Sequence, residues 1–324
     1  MLHTREELKI KQSLPLDMKI MISKQRIKEW VDMFGEDGVY VSFSGGKDST
    51  VLLHIARSIY PNMKAMFLDT GLEYPEIRSF VKTFDNVDWV KPKLTFRQVI
   101  EKYGYPFISK EVSQKVSEAK SKPDGYTVKY FTPAEEGGKQ KQYNYSKYKF
   151  LISSPYNFGR GCCYAMKKRP AHKYEKDTGR KPITGQMASE SQLRTTTWLQ
   201  RGCNIFDGKT PKSNPLSIWT EQDILQYIKK YNIPICSLYG DIVPEDKQES
   251  LFEQKLINTG VERTGCMFCG YGCHLEKSPN RFEKMNISHP KQYEYIMRSW
   301  SKGGLGYKEL IDWINDNSDL NIKY

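Results

Sequence analysis

Gly38-Val39-Tyr40-Val41-Ser42-Phe43-Ser44-Gly45-Gly46-Lys47-Asp48-Ser49-Thr50-Val51-Leu52-Leu53-His54-Ile55-Ala56-Arg57 is the stretch on which the fold of this chain turns. Its first six residues form an apolar, β-branched and aromatic run, and Thr50 to Arg57 suits a helix, so the order is strand, tight loop, helix. A glycine pair in that loop lets backbone amides approach a phosphate closely, and the N-terminus of the following helix adds partial positive charge. Lys47 contributes a full charge, while Ser44 and Ser49 can donate hydroxyl hydrogens. The longer gap before Gly-Lys that marks a Walker loop is absent, which argues against transfer of a terminal phosphate. Asp48 either anchors the loop or helps to hold Mg²⁺ near a pyrophosphate. The competing reading is a polar turn ahead of a helix.

Working outward, a second strand is expected over 63–68, ending in Asp69-Thr70-Gly71, and Pro75 restarts a helix at its first turn. A third strand is expected over 87–90. Strands alternating with helices at this spacing predict an α/β fold, a doubly wound, mostly parallel sheet with ligands at the strand C-terminal ends. Asp69 and Thr70 then lie beside a nucleotide or its metal, or simply close a strand-end turn. The alternation resumes at Pro182-Ile183-Thr184-Gly185, and Thr220 with Asp223 forms a capping box for a later helix. Residues 1–35 read as an N-terminal helical arm interrupted near Pro15, 36–245 as the nucleotide-binding α/β domain, and 246–324 as a C-terminal helical, cysteine-rich extension.

Within 110–150 the regularity weakens. Lysines 110, 115, 120, 122, 129, 139, 141, 147 and 149 alternate with Tyr126, Tyr130, Phe131, Tyr143, Tyr145 and Tyr148, as in an insertion. Lysines can track phosphates while tyrosines stack on bases, which makes nucleic acid a candidate partner. A solvated hairpin or a helical arm is the alternative. The net charge of +12 suits a polyanion and equally a nucleotide enzyme with a basic surface.

The chain of 324 residues is long enough to bury a substantial core. No apolar run approaches the roughly 18 residues of a membrane span, and Met1 to Lys11 lacks the layout of a signal peptide. A cytoplasmic, reducing compartment is expected, with no membrane partner. There the seven cysteines are better read as thiols or metal ligands than as disulfides. Four fall in two pairs, Cys162-Cys163 and Cys266-Met267-Phe268-Cys269, the number that a zinc site or an iron–sulfur cluster needs. Cys273 offers a further ligand or a reactive thiol. Cys203 and Cys236 have no partner at ligand spacing and read as small buried hydrophobes. Trp219 reads as core packing.

Ser44 to Ser49 resembles the Ser-Gly-Gly-Lys-Asp-Ser signature of N-type ATP pyrophosphatases and of adenylyl-sulfate and phosphoadenylyl-sulfate reductases, members of the adenine nucleotide alpha hydrolase-like superfamily. The segment Leu68-Asp69-Thr70-Gly71-Leu72-Glu73-Tyr74-Pro75-Glu76 is similar to the reductase branch, as are Thr184-Gly185 with Glu190, Ser191 and Arg194, and the run from Pro215 to Ile228. The resemblance covers about Val39 to Cys269. It implies that Ser44, Gly45, Gly46, Lys47, Asp48, Ser49, Asp69, Thr70, Gly71, Thr184 and Gly185 bind the nucleotide and that Arg194 faces phosphate or sulfate. It further implies one [4Fe–4S] cluster on Cys162, Cys163, Cys266 and Cys269, where structural zinc and free thiols are the alternatives.

The resemblance fails at one point. The reductases carry a nucleophilic cysteine in a C-terminal Glu-Cys-Gly-x-His segment, whereas Gly272-Cys273-His274-Leu275-Glu276 has those residue types in another order. A related branch, the sulfurtransferases of DNA phosphorothioation, keeps the loop and the cluster cysteines for sulfur insertion. The expected function is therefore an iron–sulfur sulfurtransferase that activates an acceptor with ATP, releasing AMP and pyrophosphate, with nucleic acid as a candidate acceptor. Lys47, Asp48, Arg194 and Cys273 would be catalytic, Cys273 as sulfur carrier, alongside an external electron or sulfur donor. A sulfite-releasing reductase acting on adenylyl sulfate or its 3′-phosphorylated form, with Cys273 or an outside thiol as nucleophile, is the first alternative. A non-catalytic nucleotide- or nucleic-acid-binding module is the second.

Overall fold

A computed structural model describes residues 2–208, 210–245 and 255–324. The residue 246 expected to open the C-terminal extension lies outside this set. The strands, in chain order, are β1 (Val39–Ser42), β2 (Ala65–Leu68), β3 (Val87–Val90), β4 (Phe107–Ile108), β5 (Lys181–Ile183), β6 (Asn204–Ile205), β7 (Lys212–Ser213), β8 (Ile242–Pro244), β9 (Leu256–Asn258) and β10 (Gly270–Tyr271). The chain divides into two compact units, Met1–Pro92 with Arg169–Gly265, and Lys93–Lys168 with Cys266–Tyr324.

The first unit is built on a six-stranded sheet of order β3-β2-β1-β5-β7-β6, parallel except for the β6–β7 edge. Alternation along β1 and β2 sends Val39, Val41, Ala65 and Phe67 to one face. There they join Ile27 and Trp30 of the helix Leu16–Phe34, Val51 and Ile55 of the helix Lys47–Arg57, and Ile224 and Tyr227 of the helix Glu221–Tyr231. Tyr40 and Met66 point the other way and pack on Tyr174 of the helix Arg169–Thr178. Both faces are covered, which is the doubly wound α/β arrangement. From β1 the chain moves to β2 on one side, and β5 lies on the other, so the strand order reverses at β1 and leaves a crevice at its C-terminal end.

Helix boundaries follow local chemistry. The helix Arg5–Gln12 starts on a Thr4/Glu7 capping box, Pro15 separates it from Leu16–Phe34, and Pro75 opens the helix Pro75–Val81. The N-terminal helices belong to the core of their unit: Ile27 and Trp30 are fully buried, and the Lys19 ammonium lies 2.7 Å from Asp223 in an ion pair sealed from solvent. Asp223 also caps its own helix through Thr220, as expected. Trp219 is fully buried and donates its indole hydrogen to Ser23 Oγ at 2.9 Å.

The second unit pairs β4 with β10 in parallel and surrounds them with the helices Phe96–Tyr103, Lys110–Ser121, Arg281–Ser288, Pro290–Met297 and Tyr307–Asp316. Phe107, Phe158, Phe282 and Tyr307 fill its centre. The lysine- and tyrosine-rich segment forms no strand among its described residues, so it is no hairpin. It begins with the helix Lys110–Ser121, which buries Val112, Val116 and Ala119, and continues in short 3₁₀ turns such as Tyr126–Tyr130 and Ser146–Ser153.

Candidate nucleotide and thiol sites

The phosphate loop lies at the end of β1, at the crevice. Gly45 has φ +73°, and a Cβ there would sit 2.8 Å from Val81 Cγ2 and 2.9 Å from Ile77 Cγ2, so both conformation and space demand glycine. The loop closes on its own hydroxyls. The Ser44 amide donates to Ser49 Oγ at 3.2 Å, the Gly46 amide to Ser44 Oγ at 3.3 Å, and the Ser49 hydroxyl to the Gly46 carbonyl at 2.9 Å. Gly46 caps the helix Lys47–Arg57 without a side chain, leaving the first-turn amides directed at the crevice. Gly185, after β5, packs against this turn: a Cβ on it would lie 3.3 Å from the Asp48 carbonyl oxygen. The preceding Thr184 donates its hydroxyl to Asn214 at 2.5 Å.

Lys47 is almost completely buried. Its ammonium donates to Glu221 Oε1 at 2.8 Å and to the Glu262 carbonyl oxygen at 2.6 Å, and it sits 5.3 Å from the centre of the Tyr239 ring. The Tyr239 hydroxyl meets Thr264 Oγ1 at 2.7 Å, and both border Gly46. Asp48 Oδ1 is buried with no hydrogen-bond partner among the described residues. Burial raises the Asp48 carboxyl above the usual range despite the opposing charges of Lys47, Arg263 and Arg194. Arg194 pairs with Glu190, and Arg263 approaches the same carboxylate at 3.8 Å. Burial first, and then the neighbouring Arg263, lower the Arg194 pKa. Three cations, Lys47, Arg194 and Arg263, thus meet three carboxylates, Asp48, Glu190 and Glu221, beside the loop.

At the end of β2, Asp69 is buried and accepts from Arg78 Nη2 at 2.9 Å, while its Oδ1 has no partner among the described residues. Thr70 is engaged by Glu73, through its amide at 2.9 Å and its hydroxyl at 2.6 Å. Gly71 follows at φ +76° beside open space. The strand-end turn and a buried, unpaired carboxylate oxygen kept for a ligand are therefore compatible readings of one geometry. The unpaired oxygens of Asp48 and Asp69 are the atoms that could meet Mg²⁺ or a nucleotide hydroxyl.

Glu221, Tyr239, Glu262, Arg263 and Thr264 were not among the residues expected from sequence. Glu221 directly follows the recognised Thr220 cap, which was its one local signal. Tyr239 belongs to the Leu238-Tyr239 pair that resembles the reductase branch, while Glu262, Arg263 and Thr264 carry no motif of their own and reach the loop only through folding.

In the second unit, Cys162 and Cys163 occupy the short helix Gly161–Cys163, which runs into a π-helical turn, Tyr164–Lys168. Such turns recur at functional sites. Cys162 is buried, and its thiol is pushed up to about 12, first by burial and then by Cys163, Cys266 and Cys269. That mutual influence places the two pairs in one electrostatic neighbourhood. Among the described residues, no three His, Cys, Asp or Glu side chains converge as ligands of a single metal ion. Cys162, Cys163, Cys266 and Cys269 supply the four thiols that either zinc or an iron–sulfur cluster would take.

Cys273 lies in the short 3₁₀ turn Cys273–Leu275. It is 1% exposed, and burial pushes its thiol up to about 12, so the resting group is neither accessible nor ionised. A sulfur carrier needs both properties. Cys236 is buried in the first unit's core, as expected, whereas Cys203 is only partly buried against it.

Residues 38–270 match the family described as the phosphoadenosine phosphosulfate reductase domain. The chain belongs to that family. The adenosine 5′-phosphosulfate reductase of Staphylococcus haemolyticus is 28% identical over 226 residues, 67% of this chain and 72% of that protein. Sulfate adenylyltransferase subunit 2 of Marinomonas sp. is 26% identical over 213 residues, 63% of this chain and 60% of that protein. The phosphoadenylyl-sulfate reductase of Candida auris, crystallised as a phosphate complex, aligns with a TM-score of 0.40 at 16% identity, over 74% of this chain and 92% of that one. In this phosphoadenosine phosphosulfate reductase domain protein the family match takes in the phosphate loop, Arg194 and both cysteine pairs, and ends before Cys273. No helix among the described residues is long and apolar enough to cross a membrane.

Proposed function

We propose that this protein is an ATP-dependent sulfurtransferase carrying a [4Fe–4S] cluster. The observation that carries the choice is the burial of Cys273. Reduction of adenylyl sulfate by a protein thiol needs an accessible thiolate to attack sulfur, and Cys273, nearest in sequence to that role, is a buried, protonated thiol. The phosphate loop, with Lys47, Arg194 and Arg263 beside it, has the donors that ATP activation needs.

In that reaction an acceptor oxygen attacks the α-phosphorus of ATP, the bond between the α- and β-phosphates breaks, and pyrophosphate leaves. A sulfur nucleophile from an external donor then displaces AMP from the activated acceptor. The loop amides and Lys47 hold the departing pyrophosphate, and Arg194 and Arg263 stabilise charge that grows on the α-phosphoryl oxygens. Asp48 and Asp69 orient the nucleotide or its Mg²⁺. Cys162, Cys163, Cys266 and Cys269 would hold the cluster, which when bound supplies electrons or a docking point for sulfur.

Nucleic acid is the acceptor class favoured by the basic segment 110–150, in which lysines already lie over the rings of Tyr126, Tyr130 and Tyr148. Lys115 lies 4.7 Å from the Tyr130 ring centre and Lys139 lies 4.4 Å from that of Tyr126.

The test is anaerobic purification, with iron, sulfide and visible absorbance recorded, and ATP assayed for AMP and pyrophosphate beside adenylyl sulfate for sulfite. AMP and pyrophosphate formation by an iron-loaded protein is expected. A colourless, iron-free protein removes the cluster, and sulfite release assigns the reductase reaction instead.

A further inference from the structure

Residues 271–324 lie beyond the matched family region, yet two of their side chains grip the backbone of the turn that carries Cys266 and Cys269. Arg281 Nη1 donates to the Cys269 carbonyl oxygen at 2.6 Å, and the Tyr307 hydroxyl donates to the Phe268 carbonyl oxygen at 2.6 Å. Tyr307 is fully buried at the start of its helix, with its ring 5.0 Å from that of Phe107 and 6.0 Å from that of Phe282. Its hydroxyl is therefore delivered to the turn from a rigid base.

Arg281 is the first residue of the helix Arg281–Ser288, whose N-cap is Asn280. A cation at that end opposes the helix dipole, so other groups must hold it there. Glu276 is one: it accepts the Arg281 backbone amide and Nε, each at 2.9 Å. The Cys269 carbonyl oxygen, which accepts from Nη1, is the other.

We infer that Arg281 and Tyr307 are positioning residues for the cysteine set, Arg281 supplying positive charge and Tyr307 rigidity to the Cys266–Cys269 turn. This rests on the cluster reading above. A nearby cation and fixed hydrogen bonds stabilise the more negative, reduced state of an iron–sulfur group, and a rigid ligand turn slows its loss. The C-terminal segment of this chain thereby tunes a group whose ligands all lie within the family region.

The experiment uses the full chain, purified without oxygen, as wild type, Arg281→Gln, Arg281→Lys and Tyr307→Phe. Iron and sulfide per chain, the midpoint potential from absorbance titration and the rate of iron loss to a chelator are measured. Arg281→Gln is expected to shift the potential negative, Arg281→Lys to restore most of it, and Tyr307→Phe to lose iron several-fold faster at nearly unchanged potential. Unchanged potential in loaded Arg281→Gln together with wild-type iron loss in Tyr307→Phe would overturn the inference while leaving the cluster intact. An iron-free wild type would overturn the cluster reading and this inference with it. Should Arg281→Gln fail to fold, the Tyr307→Phe and Arg281→Lys results decide.

Discussion

The Lys47 ammonium lies 2.8 Å from Glu221 Oε1, and the two partners differ sharply in exposure, 4% against 47% for their side chains. A buried phosphate-loop cation is thus neutralised by a carboxylate that can swing into solvent. On the ATP-binding function proposed above, Glu221 occupies the electrostatic place of a phosphate, and a bound nucleotide would have to displace it. Glu221→Gln is expected to tighten ATP binding by about 0.5–1 kcal/mol, a few-fold in Kd, the scale of a half-exposed ion pair. Isothermal titration at fixed salt measures this. Weaker binding by the variant would show that Glu221 orients Lys47 instead of competing for it.

Lys47→Ala removes a charged donor from the loop and is expected to weaken ATP binding by about 1.5–3 kcal/mol. Gly45→Ala acts differently. Its φ of +73° and the 2.8 Å approach of Val81 Cγ2 strain any side chain, so a stability loss of about 2–3 kcal/mol is expected along with lost binding. Urea unfolding separates the two variants, since only the glycine substitution moves the midpoint far.

Asp48 links stability to pH. Burial raises its carboxyl above the ordinary value of 3.8, so the folded protein takes up the proton more readily than the unfolded chain. The stabilisation from that proton is complete below 3.8 and is lost as pH rises through the raised folded value. Asp48→Asn is therefore expected to be more stable than wild type at neutral pH, with the difference shrinking as the medium is acidified. Denaturant unfolding across a pH series tests the sign, and a gap that widens toward acid would refute it.

The ion pair of Lys19 and Asp223 is buried on both sides, at 3% and 8% side-chain exposure. Lys19→Met leaves the Asp223 carboxylate in the core without its cation and is expected to cost about 3–5 kcal/mol. Asp223→Ala is expected to cost at least as much, because Asp223 also accepts the Thr220 amide at 2.7 Å as a helix cap. Thermal unfolding of both variants provides the check.

Cysteine substitutions sort the thiols. Cys162→Ala is expected to abolish most bound iron and its visible absorbance, while Cys203→Ala retains both. Equal iron in the two variants would remove Cys162 from the ligand set.

Much of the fold was legible along the chain because its signals are local. The strand, glycine loop and helix around Ser44, the proline breaks at Pro15 and Pro75, and the Thr220–Asp223 cap each depend on a few adjacent residues, and each appears in the structure. The segment from Lys110 was harder. Its many lysines mask the helical spacing of Val112, Val116 and Ala119, which buries one side of the helix Lys110–Ser121. The accessibility of Cys273 was illegible, since burial depends on what packs over it from elsewhere.

By itself the sequence determined the α/β alternation, the phosphate loop and the two cysteine pairs, because hydrophobic period, glycine placement and ligand spacing are properties of neighbouring residues. Only the tertiary structure decided which charges meet. Glu221 and Glu262 reach Lys47 across sequence separations of 174 and 215 residues, Arg194 and Arg263 meet at Glu190, and Arg281 reaches the Cys269 carbonyl from the following helix. Electrostatic energies depend on distance and burial in three dimensions, and the order of residues along the chain specifies neither until the chain has folded.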